Sequence, residues 1–262
     1  LKKTILITND DGIHSKGLKA LRSVIEKRWD VVVVAPDREM SATSHALTLH
    51  RPLRLTRLND RTMSVDGTPV DCVLLAVMKV LEHTPDLVVA GINCGANLGD
   101  DVFYSGTVSA AIEGTIRRVP SIAVSLCTKG HGKHLDTAAV IAEEIIDMVF
   151  REGLPEGTLL NINVPDLSME QLRGKLPTRL GRQTYDDLII EKVDPRGKPY
   201  YWIGGQISHW EDGTNLDYKT VQEGYVSVTP LHLDLTDHEY FRKISSHKIF
   251  TKPNSPDQPG GK

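Results

Sequence analysis

Three short polar segments hold the side chains with which this chain could do chemistry, and each directly follows an apolar run. The first is Thr8-Asn9-Asp10-Asp11-Gly12. Adjacent carboxylates repel, and a cation between them would remove that cost. The competing reading is an Asp-Gly turn in which Asp11 caps a helix. The second segment runs from Ala35 to His45 and is dense in hydroxyls, with one imidazole. Ser41 there could be a nucleophile, a metal ligand or a phosphate donor, and a surface loop accounts for the composition equally well. The third, Gly91 to Thr107, places four of the chain's 21 glycines between a strand and a helix. Glycines let backbone N–H groups approach a ligand closely. Ser105-Gly106-Thr107 would open the helix, whose free amides and dipole attract anions. A flexible loop with an N-cap at Ser105 or Thr107 is the plainer alternative. With acids at neighbouring strand ends, a phosphate cradle is the favoured reading.

Motifs that are missing narrow the chemistry. There is no G-x-x-x-x-G-K-[ST], no G-x-G-x-x-G after the first strand and no G-x-S-x-G, which disfavours P-loop, dinucleotide-binding and serine-hydrolase readings. The paired acids are adjacent and not spaced D-x-D, so metal-activated water is preferred to an aspartyl-phosphate intermediate. Carboxylate, hydroxyl and amide oxygens suit Mg²⁺, Mn²⁺ or Ca²⁺, of which the first two fit phosphate chemistry. His45 and His232 could be acid–base groups or structural hydrogen-bonding residues. The three cysteines, Cys72, Cys94 and Cys127, lack C-x-x-C spacing, which predicts neither a disulfide framework nor a thiolate zinc site, and a cytoplasmic setting.

Positioning those segments requires a layered fold. Apolar runs at Thr4–Thr8, Val31–Ala35, Leu87–Ala90, Ser121–Leu126 and Leu159–Val164 read as strands. Helical spacing marks 15–27, 70–81, 108–116 and 135–151, and a hairpin excursion fits 53–65. This alternation predicts an α/β fold with a mostly parallel sheet, whose ligands lie beyond the carboxyl strand ends. The expected organisation is a catalytic core over 1–165 and a β-rich extension over 166–252 that ends in a short helix near 239–244. A mobile Pro/Gly tail would follow over 253–262. With 31 basic against 34 acidic residues and a formal net charge of −3, neither duplex nucleic acid nor a membrane is an expected partner. No apolar run approaches the ~20 residues of a membrane span.

The chain closely resembles the SurE family, stationary-phase survival proteins that act as metal-dependent nucleotidases. The resemblance is carried by I-T-N-D-D-G-I at 7–13, A-P-D-R-E-M-S-A at 35–42, G-T-P-V-D-C-V at 67–73, G-I-N-C-G-A-N-L-G-D-D-V at 91–102 and Y-S-G-T-V-S-A-A at 104–111. It continues through L-N-I-N-V-P at 160–165, D-P-R-G-K-P-Y-Y-W-I-G at 194–204 and G-Y-V-S-V-T-P-L at 224–231. It implies a Rossmann-like three-layer core with a C-terminal β-hairpin extension, in homodimers or homotetramers that exchange C-terminal segments. It also implies a phosphomonoesterase acting on nucleoside 5′- and 3′-monophosphates, some relatives also cleaving short polyphosphate. One divalent ion (Mg²⁺ or Mn²⁺) per subunit would be held by Asp10, Asp11, Ser41 and Asn93. Asp10 and Asp11 would double as catalytic groups. Asn9, Asn97, Ser105, Gly106 and Thr107 become candidates for holding the phosphate.

Overall fold

Strand β1 (Thr4–Thr8) pairs in parallel on one side with β2 (Asp30–Pro36) and on the other with β5 (Leu87–Cys94). The computed structural model describes residues 2–128, 130, 132–186, 189–203 and 206–250; the tail over 253–262 lies outside them. Beyond β5 the sheet adds β6 (Ser121–Cys127) and β7 (Thr158–Pro165), both parallel. Beyond β2 lies β4 (Thr62–Val65), with β3 (Leu55–Asn59) folded back antiparallel as the expected hairpin. Near-continuous runs such as Val31–Val34 make these strands because both faces of the sheet are covered. Ile5 and Ile7 point to the side occupied by α1 (Lys16–Ile25) and α4 (Leu135–Glu152), where they meet Leu18, Leu21, Ile141 and Ile145. Leu6, one residue between, faces the opposite layer. There it packs among Cys72 and Val73 of α2 (Pro69–Leu75) and Val108 and Ala111 of α3 (Gly106–Ile116). Helices on both faces make the three layers.

The helix starts follow local chemistry. Ser15 caps α1 by accepting the Leu18 N–H, and Thr68 with Asp71 forms a reciprocal capping box on α2. After Leu75 the helix continues as a π turn over Ala76–Val80, which completes the helical segment expected over 70–81. Gly17 is a close-approach residue: a Cβ there would collide with the Ile92 carbonyl oxygen, so glycine allows α1 to lie against β5.

The sheet does not close at β7. After β8 (Lys175–Pro177) comes an antiparallel arm in which β9 (Gln183–Asp186) pairs with β12 (Gln206–Trp210). Farther out, β10 (Ile189–Val193) pairs with β11 (Pro199–Ile203). The chain then returns through α5 (Asp217–Gln222), which the sequence reading passed over, to β13 (Val226–His232). Strand β13 lies antiparallel beside β7 and β8 lies parallel beside β13, so part of the stretch after 165 belongs to the central sheet. The final helix, α6 (His238–Ser245), buries none of its residues. Among the described residues, no helix is long and apolar enough to cross a membrane.

Candidate active site

The three polar segments follow β2, β1 and β5, which are adjacent in the sheet, so they meet at one carboxyl edge. Asp10 sits at its centre and is only 5% exposed. Its Oδ1 accepts a 2.5 Å hydrogen bond from the Thr107 hydroxyl, and the Thr107 backbone N–H adds to it. The N-terminus of α3 therefore holds a buried carboxylate. Burial raises the Asp10 pKa to about 6; the Thr107 hydroxyl opposes this, and the Asp11 charge reinforces it. Burial likewise raises Asp11, against the Cys94 N–H that reaches its Oδ2 at 3.4 Å, while the Glu39 charge pushes it further up.

Glu39 is a residue the sequence reading left aside. It faces the same acids, and its Oε1 accepts the Ser41 hydroxyl at 2.8 Å. Its place two residues before Ser41, at the same polar strand end, was the available signal. Ser41 itself is exposed and turned towards Glu39. Its loop is tied to the centre by the Met40 N–H, which donates to the Asp10 carbonyl at 2.7 Å. Asn93 lies on β5, which runs four residues past the expected end at Ala90 because Asn93 and Cys94 still pair with β6. Its amide nitrogen donates to the Gly95 carbonyl at 2.9 Å, which leaves Oδ1 as the atom it can offer a cation.

The two other asparagines are committed differently. Both amide hydrogens of Asn9 are used, on the Gly12 carbonyl and the Ser15 hydroxyl, while its buried Oδ1 has no partner among the described residues. That oxygen has the wrong polarity for phosphate and the right one for a cation or water. Asn97 is buried in an amide network. It donates its N–H to Asn163 and its Nδ2 to Ser125, and its carbonyl accepts from Asn161 and Asn163. This anchors the glycine-rich loop to β6 and β7. Ser105 caps α3 by accepting the Val108 N–H at 3.1 Å, as its sequence position allowed. With Gly106 and Thr107 it forms the helix start that faces Asp10.

The same loop is held from the far side by Asp217, which is fully buried. Its carboxylate accepts N–H groups of Gly99 (2.8 Å), Gly181 (2.9 Å) and Tyr218 (2.8 Å). Burial raises its pKa and those N–H bonds oppose the rise. Asp217→Ala leaves three buried donors unsatisfied and is expected to cost about 3 kcal/mol of stability. Urea unfolding of the variant checks this, and an unchanged midpoint would remove Asp217 as the tie.

Neither histidine singled out from sequence joins the acids. His45 Nε2 pairs with Glu113 at 3.0 Å, and Glu113 also accepts from Arg117 Nε at 2.8 Å. Burial pushes the Glu113 pKa up, but these two partners outweigh it and hold the carboxyl below its usual range. His232 ends β13 opposite Thr158, at the amino end of β7, because β13 runs antiparallel; it is at the wrong edge of the sheet. The cysteines are free thiols, and burial raises each pKa, that of Cys127 to about 12, so none is poised as a thiolate nucleophile.

Among the described residues, no group of three or more His, Cys, Asp or Glu could hold a metal ion. Two adjacent carboxylates, amide and hydroxyl oxygens and a buried Asn9 Oδ1 without a partner do fit one hard cation completed by water. The raised pKa of Asp10 is the behaviour of a buried acid lacking a compensating charge.

Comparison with known proteins points to a single family. The family model described as Survival protein SurE matches residues 5–187. A 5′-nucleotidase SurE of Citrifermentans bemidjiense is 51% identical over 245 residues, 94% of this chain and 99% of that protein. One from Geobacter sulfurreducens is 49% identical over 257 residues, covering 98% of each. The crystal structure of the SurE protein from Aquifex aeolicus superposes with a TM-score of 0.84 at 44% identity, covering 92% of this chain and 98% of that one.

Proposed function

The chain belongs to the SurE family, and from that premise we propose that it is a divalent-metal-dependent phosphomonoesterase. Nucleoside 5′-monophosphates are the principal substrates, with 3′-monophosphates and short polyphosphate as further ones. The observation that carries this reading is the buried Asp10 beside Asp11, facing the N-terminus of α3 at the carboxyl edge of the sheet.

Asp10, Asp11, Ser41 and Asn93 would hold one Mg²⁺ or Mn²⁺ per subunit, with Ser41 exchanging Glu39 for the cation. When bound, the ion supplies Lewis-acid polarisation of the phosphoryl group and a lower pKa for the attacking water. The chain itself supplies position and charge. Ser105, Gly106 and Thr107 offer hydroxyl and amide donors to the phosphate oxygens, and the helix dipole favours the charge that develops on them. Asp10 or Asp11 orients the water and accepts its proton. Asn97 braces the loop, and Asn9 braces the turn after β1.

The arm carries Tyr200, Tyr201, Trp202 and Ile203 exposed, and α6 exposes Tyr240 and Phe241. Apolar side chains grouped in this way mark an interface, in keeping with a homodimer or homotetramer completed by the extension. A cytoplasmic setting suits the three unpaired thiols.

The test is phosphate release from AMP and GMP with Mn²⁺ or Mg²⁺, repeated with excess EDTA. Turnover with metal and its loss on chelation is the expected result. No release with any divalent ion would overturn the enzyme reading in favour of a nucleotide-binding module. Including 3′-AMP and short polyphosphate decides the wider substrate range.

A further inference from the structure

A nucleoside alkoxide is a strongly basic leaving group, and the acids at Asp10 and Asp11 account for attack by water without supplying the proton the departing oxygen needs. A second titratable pair stands along the same sheet edge. Asp166 directly follows β7, and its carboxylate accepts the Lys133 N–H (3.0 and 3.1 Å), the His134 N–H (2.9 Å) and a hydrogen bond from the Thr128 side chain. It thereby caps α4 from outside, since His134 at the N-cap position makes no side-chain cap of its own. Capping accounts for the backbone bonds, but not for the imidazole. His134 Nδ1 meets Asp166 Oδ1 at 2.9 Å, which fixes the proton on Nδ1 and leaves Nε2 as the working nitrogen. Nε2 has no protein partner among the described residues, and the side chain is 29% exposed.

The pair stands on the same carboxyl edge as the acids, two strands beyond β5. Asp11 accepts from the Cys94 N–H, Cys94 lies beside Leu126 in the sheet, and Cys127 lies beside Pro165, the residue before Asp166. The Cys94 thiol accordingly feels the charges of both Asp11 and Asp166.

We propose that His134, oriented by Asp166, is the general acid that protonates the leaving oxygen, an inference that rests on the nucleotidase reading above. As the bond from water oxygen to phosphorus forms, the bond from phosphorus to the nucleoside oxygen breaks, and its electron pair stays on that oxygen. The oxygen takes the proton from Nε2 of the imidazolium, while the water's proton passes to the Asp10–Asp11 pair. Asp166 stays ionised and stabilises the imidazolium, which regains its proton from solvent after the nucleoside departs. Asp166 is a positioning residue.

Leaving-group dependence tests this, because p-nitrophenolate departs without a proton and a nucleoside alkoxide does not. The kcat and KM for AMP and for p-nitrophenyl phosphate are measured with Mn²⁺ in wild type, His134→Gln, His134→Ala and Asp166→Asn. The His134 variants are expected to lose roughly 10²–10⁴-fold in kcat on AMP, with KM and the aryl substrate changed by no more than roughly threefold. Asp166→Asn should show a smaller loss with the same selectivity. Retained aryl turnover also reports that each variant is folded. A parallel loss on both substrates, or no loss on AMP, overturns the proposal. A wild type that cleaves the aryl ester and not AMP overturns the nucleotidase reading, and this inference with it.

Discussion

Asp10→Asn is expected to abolish phosphate release and, in metal-free protein at neutral pH, to make the fold more stable. The two effects have one cause. Asp10 is almost wholly buried and holds its negative charge against burial and against Asp11, so its pKa stands at about 6, above the ordinary 3.8. A carboxyl whose folded pKa is raised is favoured in its protonated form by the fold. The contribution of Asp10 to stability is therefore higher below pH 3.8 and falls as pH rises from 3.8 through 6. At pH 7 the shift corresponds to a cost of about 3 kcal/mol. Asparagine cannot ionise, yet its carbonyl oxygen can still accept the Thr107 hydroxyl, so the variant avoids that cost. Thermal unfolding in EDTA should show Asp10→Asn several degrees above wild type at pH 7, with the gap closing towards pH 4. Mn²⁺ should raise the wild-type midpoint and leave that of the variant nearly unmoved. The loss of turnover should exceed roughly 10³-fold, as follows from the proposal that this residue both binds the ion and faces the reacting phosphate. A variant no more stable than wild type without metal would show that burial is not what governs this acid. Near-wild-type turnover would remove Asp10 from the mechanism.

Where the candidate site lies in the fold was readable in the sequence, for a physical reason. Parallel strands covered on both faces read as apolar runs, and polar residues directly after them have little place to be except the carboxyl edge. The placement of Asp10, Ser41, Asn93 and Thr107 at that edge follows from this logic, whereas the ligand roles proposed for Ser41 and Asn93 rest on the family resemblance. What was not readable depends on pairings between distant segments. His232 lies at the far edge only because β13 runs antiparallel to β7, and no local pattern encodes that direction. Asn9 and Asn97 looked like phosphate donors by type. Both amide hydrogens of Asn9 are committed to Gly12 and Ser15, and Asn97 gives one of its two to Ser125, a matter of tertiary partners. Asp166 was passed over because it reads as an ordinary turn after a strand, and its meaning appears only when α4 brings His134 against it. Strand β13 was recognised as β-like but not as part of the main sheet, because short strands carry no signal of which edge they join.

Gly106→Ala is expected to lose about 10²-fold in kcat without any conformational objection to alanine. Gly106 is the first residue of α3, and in a helix alanine is favoured over glycine by about 1 kcal/mol. Space is the obstacle. A Cβ there would stand 2.9 Å from the Asp10 Cβ and 3.0 Å from its Oδ2. The first of these is the root of the side chain, so rotating the carboxylate does not relieve the contact; β1 and α3 must separate. Overpacking of this kind costs about 1–3 kcal/mol, which offsets the helix preference and leaves stability slightly lower. Catalysis should suffer more. The helix start proposed to receive phosphate and the acid proposed to hold the cation lie within van der Waals reach of each other, so one added methyl group displaces both at once. A misplacement on the order of 1 Å is enough for a loss of about 10²-fold. Steady-state kinetics on AMP with a parallel Mn²⁺ titration distinguishes the possibilities. Weaker Mn²⁺ binding together with lower kcat is the expected pair of changes. Unchanged kcat would mean that α3 and Asp10 do not work at this separation, and that the phosphate is held elsewhere on the sheet edge.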